Sequence, residues 1–266
     1  MEKKPDEPKA VKTEDLTYND YLKVPELLAL QVPQSDPAHH DEMLFIIIHQ
    51  AYELWFKLMI HELEFAKEFM GKANVLRARH FVHRCVEILK VLVKQIHILE
   101  TMEPAEFLRF RDKLNPASGF QSMQFREIEF MVGLKERRYL MFFKSRPDLV
   151  AKLEKRLNEP DLSDAFYGML KKLGHKVETP EESLATLKVI YEKPDGNIAL
   201  YLLAESLIEF DQYLGLWREH HVGVVERIIG AKTGTGGSSG VNYLRSTLGK
   251  RAFPLLWEVR TVLEKT

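Results

Sequence analysis

The stretch Phe45-Ile-Ile-Ile-His49-Gln-Ala-Tyr52-Glu-Leu-Trp-Phe56-Lys-Leu-Met59 decides the fold class. Apolar side chains return at Leu44, Ile48, Trp55, Leu58, Met59 and Leu63, which is helical spacing rather than the alternation of a strand. The period holds from Asp41 to about Met70, predicting one long helix. Positions 45, 49, 52 and 56 share a face of it, so His49 sits among Phe45, Tyr52 and Phe56, with Glu53 one turn away. Two readings of His49 stand side by side: a core histidine satisfied by Glu53, or an imidazole facing a bound group.

The same period extends outward along the chain. Val75 to Leu99 reads as a second long helix, with Val82, Val86, Leu89, Val93 and Ile96 on one face. Pro104 is placed to open a short helix through Arg111. Pro116-Ala-Ser-Gly119 breaks the pattern as a loop, and Gln121 to Val132 resumes it. Two shorter helices between Arg146 and Gly174 divide near Pro160. Thr179-Pro180-Glu181-Glu182 has the form of a capping box and opens a helix to Tyr191. Pro194-Asp-Gly196 is read as a turn into a long helix, Ile198 to Ile229. A glycine-rich loop, Gly234 to Gly240, leads to short helices at Val241 to Leu248 and after Pro254. Strand-like alternation is nowhere sustained and no repeat has a fixed period. The expectation is an all-α protein: a disordered, charged tail over 1–15 and one helical domain over 16–266.

Composition narrows the class. The chain has 266 residues with 45% hydrophobic content, enough for a sizeable core. Lys plus Arg number 38 against 39 Asp plus Glu, and no basic stripe suggests a nucleic-acid partner. The longest apolar run, Met43 to Ile48, falls short of the roughly 18 residues of a membrane span. Cys85, the one cysteine, rules out an internal disulfide, a Cys-x-x-Cys-His haem attachment and a cysteine zinc site. Together these point to a cytoplasmic protein without a nucleic-acid or membrane partner.

Histidine pairing suggests the chemistry. His221, in Trp217-Arg-Glu-His-His221-Val, shares a stripe with Leu214, Trp217, Val224, Val225 and Ile228, whereas His220 shares its face with Tyr213 and Arg227. A neutral imidazole in an apolar wall suits an axial position on haem iron, and periodicity picks His221. Arg111 follows Phe107 by four residues, a pairing that suits a ligand with a ring and a carboxylate; the alternative is a surface arginine paired with Asp112. Gly234 to Gly240 lacks the lysine of a P-loop but can form an anion nest, to which Thr235 adds a hydroxyl. His39-His40-Asp41-Glu42 offers the start of a two-histidine iron site, or an acidic first turn that complements a helix. His61-Glu62 lacks the second histidine of a zincin, since position 65 is Phe, and no Glu-x-x-His pair exists for a di-iron bundle.

Read together, several segments resemble the tryptophan 2,3-dioxygenase family. They are Leu16 to Leu22, Asp36 to Phe45, Phe45 to Lys57, Phe110-Arg-Asp-Lys-Leu-Asn-Pro-Ala-Ser-Gly-Phe-Gln-Ser122, Glu226-Arg-Ile-Ile-Gly230, Gly234 to Gly240 and Phe253 to Thr261. The resemblance implies an all-helical haem dioxygenase, a homotetramer built as a dimer of dimers, that uses O2 to cleave the indole C2–C3 bond of L-tryptophan to N-formyl-L-kynurenine. By motif position it implies His221 as the axial ligand of ferrous haem b and His49 as the distal, catalytic residue meeting the indole N–H. Phe45, Ile46, Ile47, Ile48 and Phe107 are then substrate-binding, Arg111 pairs with the substrate carboxylate, and Thr235 meets the amino-acid end. Ser118 and Gly119 lie over the haem, and Tyr18 and Tyr21 reach a neighbouring subunit's pocket. Departures are mild: Phe107 stands where some members have Tyr, and His220 precedes the ligand position. Residues 135–191 match no motif. Alternatives are a haem oxygenase of the same fold acting on another indole, and a non-catalytic haem sensor, against which the Arg111 clamp argues.

Overall fold

The computed structural model describes residues 15–234 and 240–264, so the predicted tail lies outside the described residues except for Asp15. Among these residues there are α-helices and short 3-10 turns and no strand. The helices are α1 (Tyr18–Leu22), α2 (Val24–Leu28), α3 (His40–Gly71), α4 (Val75–Leu99), α5 (Pro104–Arg111), α6 (Met123–Met131) and α7 (Pro147–Asn158). They continue with α8 (Leu162–Lys172), α9 (Pro180–Glu192), α10 (Pro194–Ile229), α11 (Val241–Arg245) and α12 (Pro254–Val262). The all-α expectation holds.

Three long helices form the frame, with α4 packed along both α3 and α10. Each buries a stripe at helical spacing: Tyr52, Phe56, Met59, Leu63 and Ala66 on α3, and Val82, Cys85, Leu89, Leu92 and Ile96 on α4. Full burial of one such Leu or Phe is worth about 1.5–3 kcal/mol, so this seam dominates the stability of the bundle. Helices α6 and α8 pack on α3, while α9 and α12 pack on each other and on α10. Asp211, buried on α10, fixes the end of the chain by accepting from the Ala252 N–H at 3.0 Å and from the Trp257 indole N–H at 2.7 Å.

Local chemistry sets the boundaries. The Asn74 side chain caps α4 by accepting from the Arg77 N–H at 3.1 Å. Thr179 caps α9 as expected, through the Glu182 N–H, but the Glu182 carboxylate takes the Glu178 N–H rather than closing the box on Thr179. The turn expected at Pro194–Gly196 is absorbed into α10 as a kink, with Asn197 at φ −135° and ψ 24°. Proline is tolerated in the first helical turn, so Pro194 starts α10 instead of stopping it. Three elements had no counterpart in the sequence reading: the short α1 and α2, and a 3-10 stretch at Arg137–Phe143 that packs on α7. Helix α3 also corrects the run-length argument on membranes. It contains an 18-residue window apolar enough to cross one by length and composition. Its inner face nevertheless packs into the bundle core, from Tyr52 to Met70.

Candidate active site

Helices α3, α5, α6 and α10 enclose a cavity of about 530 Å3, predominantly apolar, with the 114–122 loop and the residues flanking the glycine-rich loop at its rim. His49 from α3 and His221 from α10 both line it, near enough for the charge of one to disfavour that of the other. His221 stacks on Trp217, with ring centroids 5.3 Å apart and planes at 17°. Burial, reinforced by His49, pushes the His221 imidazole down to about 4, so it is neutral at physiological pH with a lone pair available. His220 is not on the cavity wall; its ring meets His97 edge-on at 5.2 Å, on the other side of the helix.

His49 is resolved by its hydrogen bond. Its Nδ1 lies 2.7 Å from the Phe45 carbonyl oxygen, which fixes Nδ1 as the donor and leaves Nε2 as an acceptor. Burial holds this imidazole below its ordinary range, against the opposing pull of the Phe45 carbonyl and the Glu53 charge. Glu53 is therefore not the partner suggested by helical spacing. Its carboxylate accepts from Ser122 Oγ at 2.6 Å and from Gln124 Nε2 at 2.7 Å, tying the 118–122 segment to α3. Ser118 and Gly119 are brought to the cavity rim by that tie.

Aromatic rings and one guanidinium form another end of the cavity. Phe45 lies 4.1 Å from the His49 ring and 5.8 Å from Phe107, and Phe107 meets Phe110 edge-on at 5.3 Å. Arg111, in the last turn of α5, donates from Nη2 to the Thr233 carbonyl, while its buried Nε has no partner. No carboxylate pairs with it among the described residues, so the surface pairing with Asp112 does not occur. On another part of the wall, Arg126 and Arg218 converge on the single buried carboxylate of Glu129. That leaves a surplus of positive charge, which suits a ligand carrying carboxylates.

The model of the family described as tryptophan 2,3-dioxygenase matches residues 4–166 and 171–263. The chain belongs to the tryptophan 2,3-dioxygenase family. It is 47% identical to a tryptophan 2,3-dioxygenase of Nocardioides sp. over 93% of this chain and 95% of that protein. The tryptophan 2,3-dioxygenase of Caulobacter vibrioides is 44% identical, over 94% of this chain and 99% of the relative. That of Myxococcus xanthus is 41% identical, over 93% and 89%.

Other residues singled out from the sequence fall into four groups. Ile46, Ile47 and Ile48 follow Phe45 on α3 but do not line the cavity: Ile48 is buried in the core and Ile47 is exposed. Tyr18 and Tyr21 are 74% and 72% exposed on α1 and do not reach their own chain's cavity. Thr235 lies outside the described residues; Gly234 and Gly240, on either side, line the cavity. His39 to Glu42 does not form a metal centre. His40 is solvated against Asp41, and Glu42 is buried, accepting from the Gln34 N–H at 2.6 Å and the Ser35 N–H at 3.1 Å. The reading of the sequence missed the Glu53–Ser122–Gln124 tie and the Arg126–Glu129–Arg218 cluster. Spacing within a helix carries no signal for contacts 69 or 89 residues apart.

Proposed function

We propose that this protein is a haem-dependent tryptophan 2,3-dioxygenase that cleaves the C2–C3 bond of the L-tryptophan indole with O2 to give N-formyl-L-kynurenine. One observation carries the reading: neutral His221 and His49, from two different helices, line one cavity together with an arginine that no carboxylate pairs among the described residues. The residues fit haem b: His221 would hold its iron, with the Trp217 ring restraining the imidazole plane. When bound, ferrous haem would supply the oxygen activation that side chains cannot.

The chain's own residues bind, orient and exclude water. Phe45 and Phe107 provide an apolar wall for the indole, and Nε2 of His49 accepts the indole N–H. No full proton transfer is needed there if oxygen adds directly to the ring. Arg111, on the cavity wall with no carboxylate partner of its own among the described residues, takes the substrate carboxylate through its terminal nitrogens, a charge-assisted contact worth about 1.5–3 kcal/mol. Holding both ends sets the reactive edge of the indole in one place, which lowers the entropic part of the barrier. Ser118 and Gly119, on the cavity rim, would cover the haem, and Thr235 would meet the amino-acid end of the substrate. Exposed Tyr18 and Tyr21 on α1 support a homotetramer in which each N-terminal segment completes a neighbour's pocket. A lone buried thiol, Cys85, fits a cytoplasmic location. The optical spectrum of the reduced, haem-loaded protein should change on adding L-tryptophan, and product absorbance should then rise in air. An unchanged spectrum with no product would refute the proposal.

A further inference from the structure

We propose that His97, Glu100 and His220 form a site for a borderline divalent cation such as zinc, set on the α4–α10 seam outside the haem cavity. His97 and Glu100 stand one turn apart at the end of α4, with Nδ1 and the carboxylate oxygen 3.1 Å from each other. His220 comes from α10, its ring perpendicular to that of His97 at 5.2 Å. One donor atom from each of the three lies within 4.8 Å of the others. Two imidazoles and a carboxylate are a donor set that zinc favours, leaving a fourth position for water.

Bond lengths test the fit. With zinc–ligand distances near 2.0–2.1 Å, tetrahedral donors stand about 3.3–3.4 Å apart. The His97–Glu100 pair, at 3.1 Å, is close to that spacing, and the remaining closure of about an ångström is a side-chain rotation. His97 is solvent-exposed and free to make it, and it provides the entry path. The α4 C-terminus also turns the negative end of its dipole toward the site, favouring a cation. Other histidine–carboxylate contacts on the surface, His40–Asp41 and His83–Glu87, have two members and lack a third donor from a second helix. A cation here would clamp α4 to α10 in the turn that also carries His221. The inference is independent of the haem assignment, since none of the three residues lines the cavity.

The test uses the tag-free, haem-loaded full chain, treated with a chelator and then dialysed against Zn2+. Wild type should retain one zinc per chain and gain thermal stability. His97→Gln, Glu100→Gln and His220→Gln should each weaken retention by at least about tenfold, given that even outer partners of metal ligands are worth 10–100-fold. His83→Gln should behave as wild type, and an unaltered haem spectrum in His220→Gln would show that the effect is local. Should His220→Gln fail to fold, exposed His97→Gln carries the same comparison. Wild type retaining no zinc, or all variants retaining it equally, would overturn the proposal.

Discussion

Arg111→Leu is the substitution that most sharply separates a substrate clamp from a structural arginine. Arg111 sits half-buried at the rim of the cavity, with one nitrogen on the Thr233 carbonyl and Nε unpaired. Leucine keeps most of the apolar stem and removes every donor. Losing one partner of a charge-assisted, partly desolvated pair costs about 2–4 kcal/mol. At about 1.36 kcal/mol per factor of ten, kcat/KM for L-tryptophan should fall roughly 30- to 900-fold. The tie to Thr233 is lost as well, so the absolute rate confounds two effects. The ratio of kcat/KM for L-tryptophan to that for its decarboxylated analogue isolates the carboxylate, because a loosened loop affects both substrates. Wild type should strongly prefer the amino acid, and Arg111→Leu should lose most of that preference while keeping its haem spectrum. Undiminished discrimination in the variant would refute the clamp and move the search to Thr235 and the glycine-rich loop.

Four other outcomes follow from the site. His221→Ala should abolish stable haem binding while His220→Ala keeps a normal haem spectrum; the reverse result would exchange their roles. His49→Ala should retain haem and cost less in kcat/KM than Arg111→Leu, and a larger loss would indicate proton transfer at Nε2. In the haem-free chain, His221 has a folded pKa of about 4 against an ordinary value near 6.5. Its neutral burial therefore costs nothing above pH 6.5, and stability is lost as pH falls from there toward 4, by about 3 kcal/mol. Urea titrations should show His221→Leu escaping that part of the decline, and equal slopes would contradict it. Deleting residues 1–22 should weaken tryptophan binding more than haem retention, which titration of the truncated protein checks; tight binding by a verified truncated monomer would contradict subunit exchange.

Helix positions were legible wherever local chemistry decides them. Val75–Leu99 and Pro104–Arg111 have the bounds that periodicity, Asn74 and Pro104 dictate. The choice of His221 over His220 also rested on a local stripe, and His221, not His220, lines the cavity. What was not legible is long-range. Helical spacing offered Glu53 to His49, yet the carboxylate is claimed by Ser122 and Gln124, and His49 turns to its own backbone. The family resemblance implied Ile46, Ile47 and Ile48 for the substrate, but each step along a helix rotates a side chain by about 100 degrees, and none of the three lines the cavity. Short α1 and α2 escaped because their apolar residues, Tyr18, Tyr21 and Leu28 among them, remain exposed and follow no buried stripe.

Isotope incorporation tests the central claim most directly. The haem-loaded, reduced protein is supplied with L-tryptophan under 18O2 in ordinary water, and the product is weighed by mass spectrometry. The account predicts N-formyl-L-kynurenine carrying both labelled atoms, with no product formed by His221→Ala. A single labelled atom, or an oxidised indole with its C2–C3 bond intact, would contradict it.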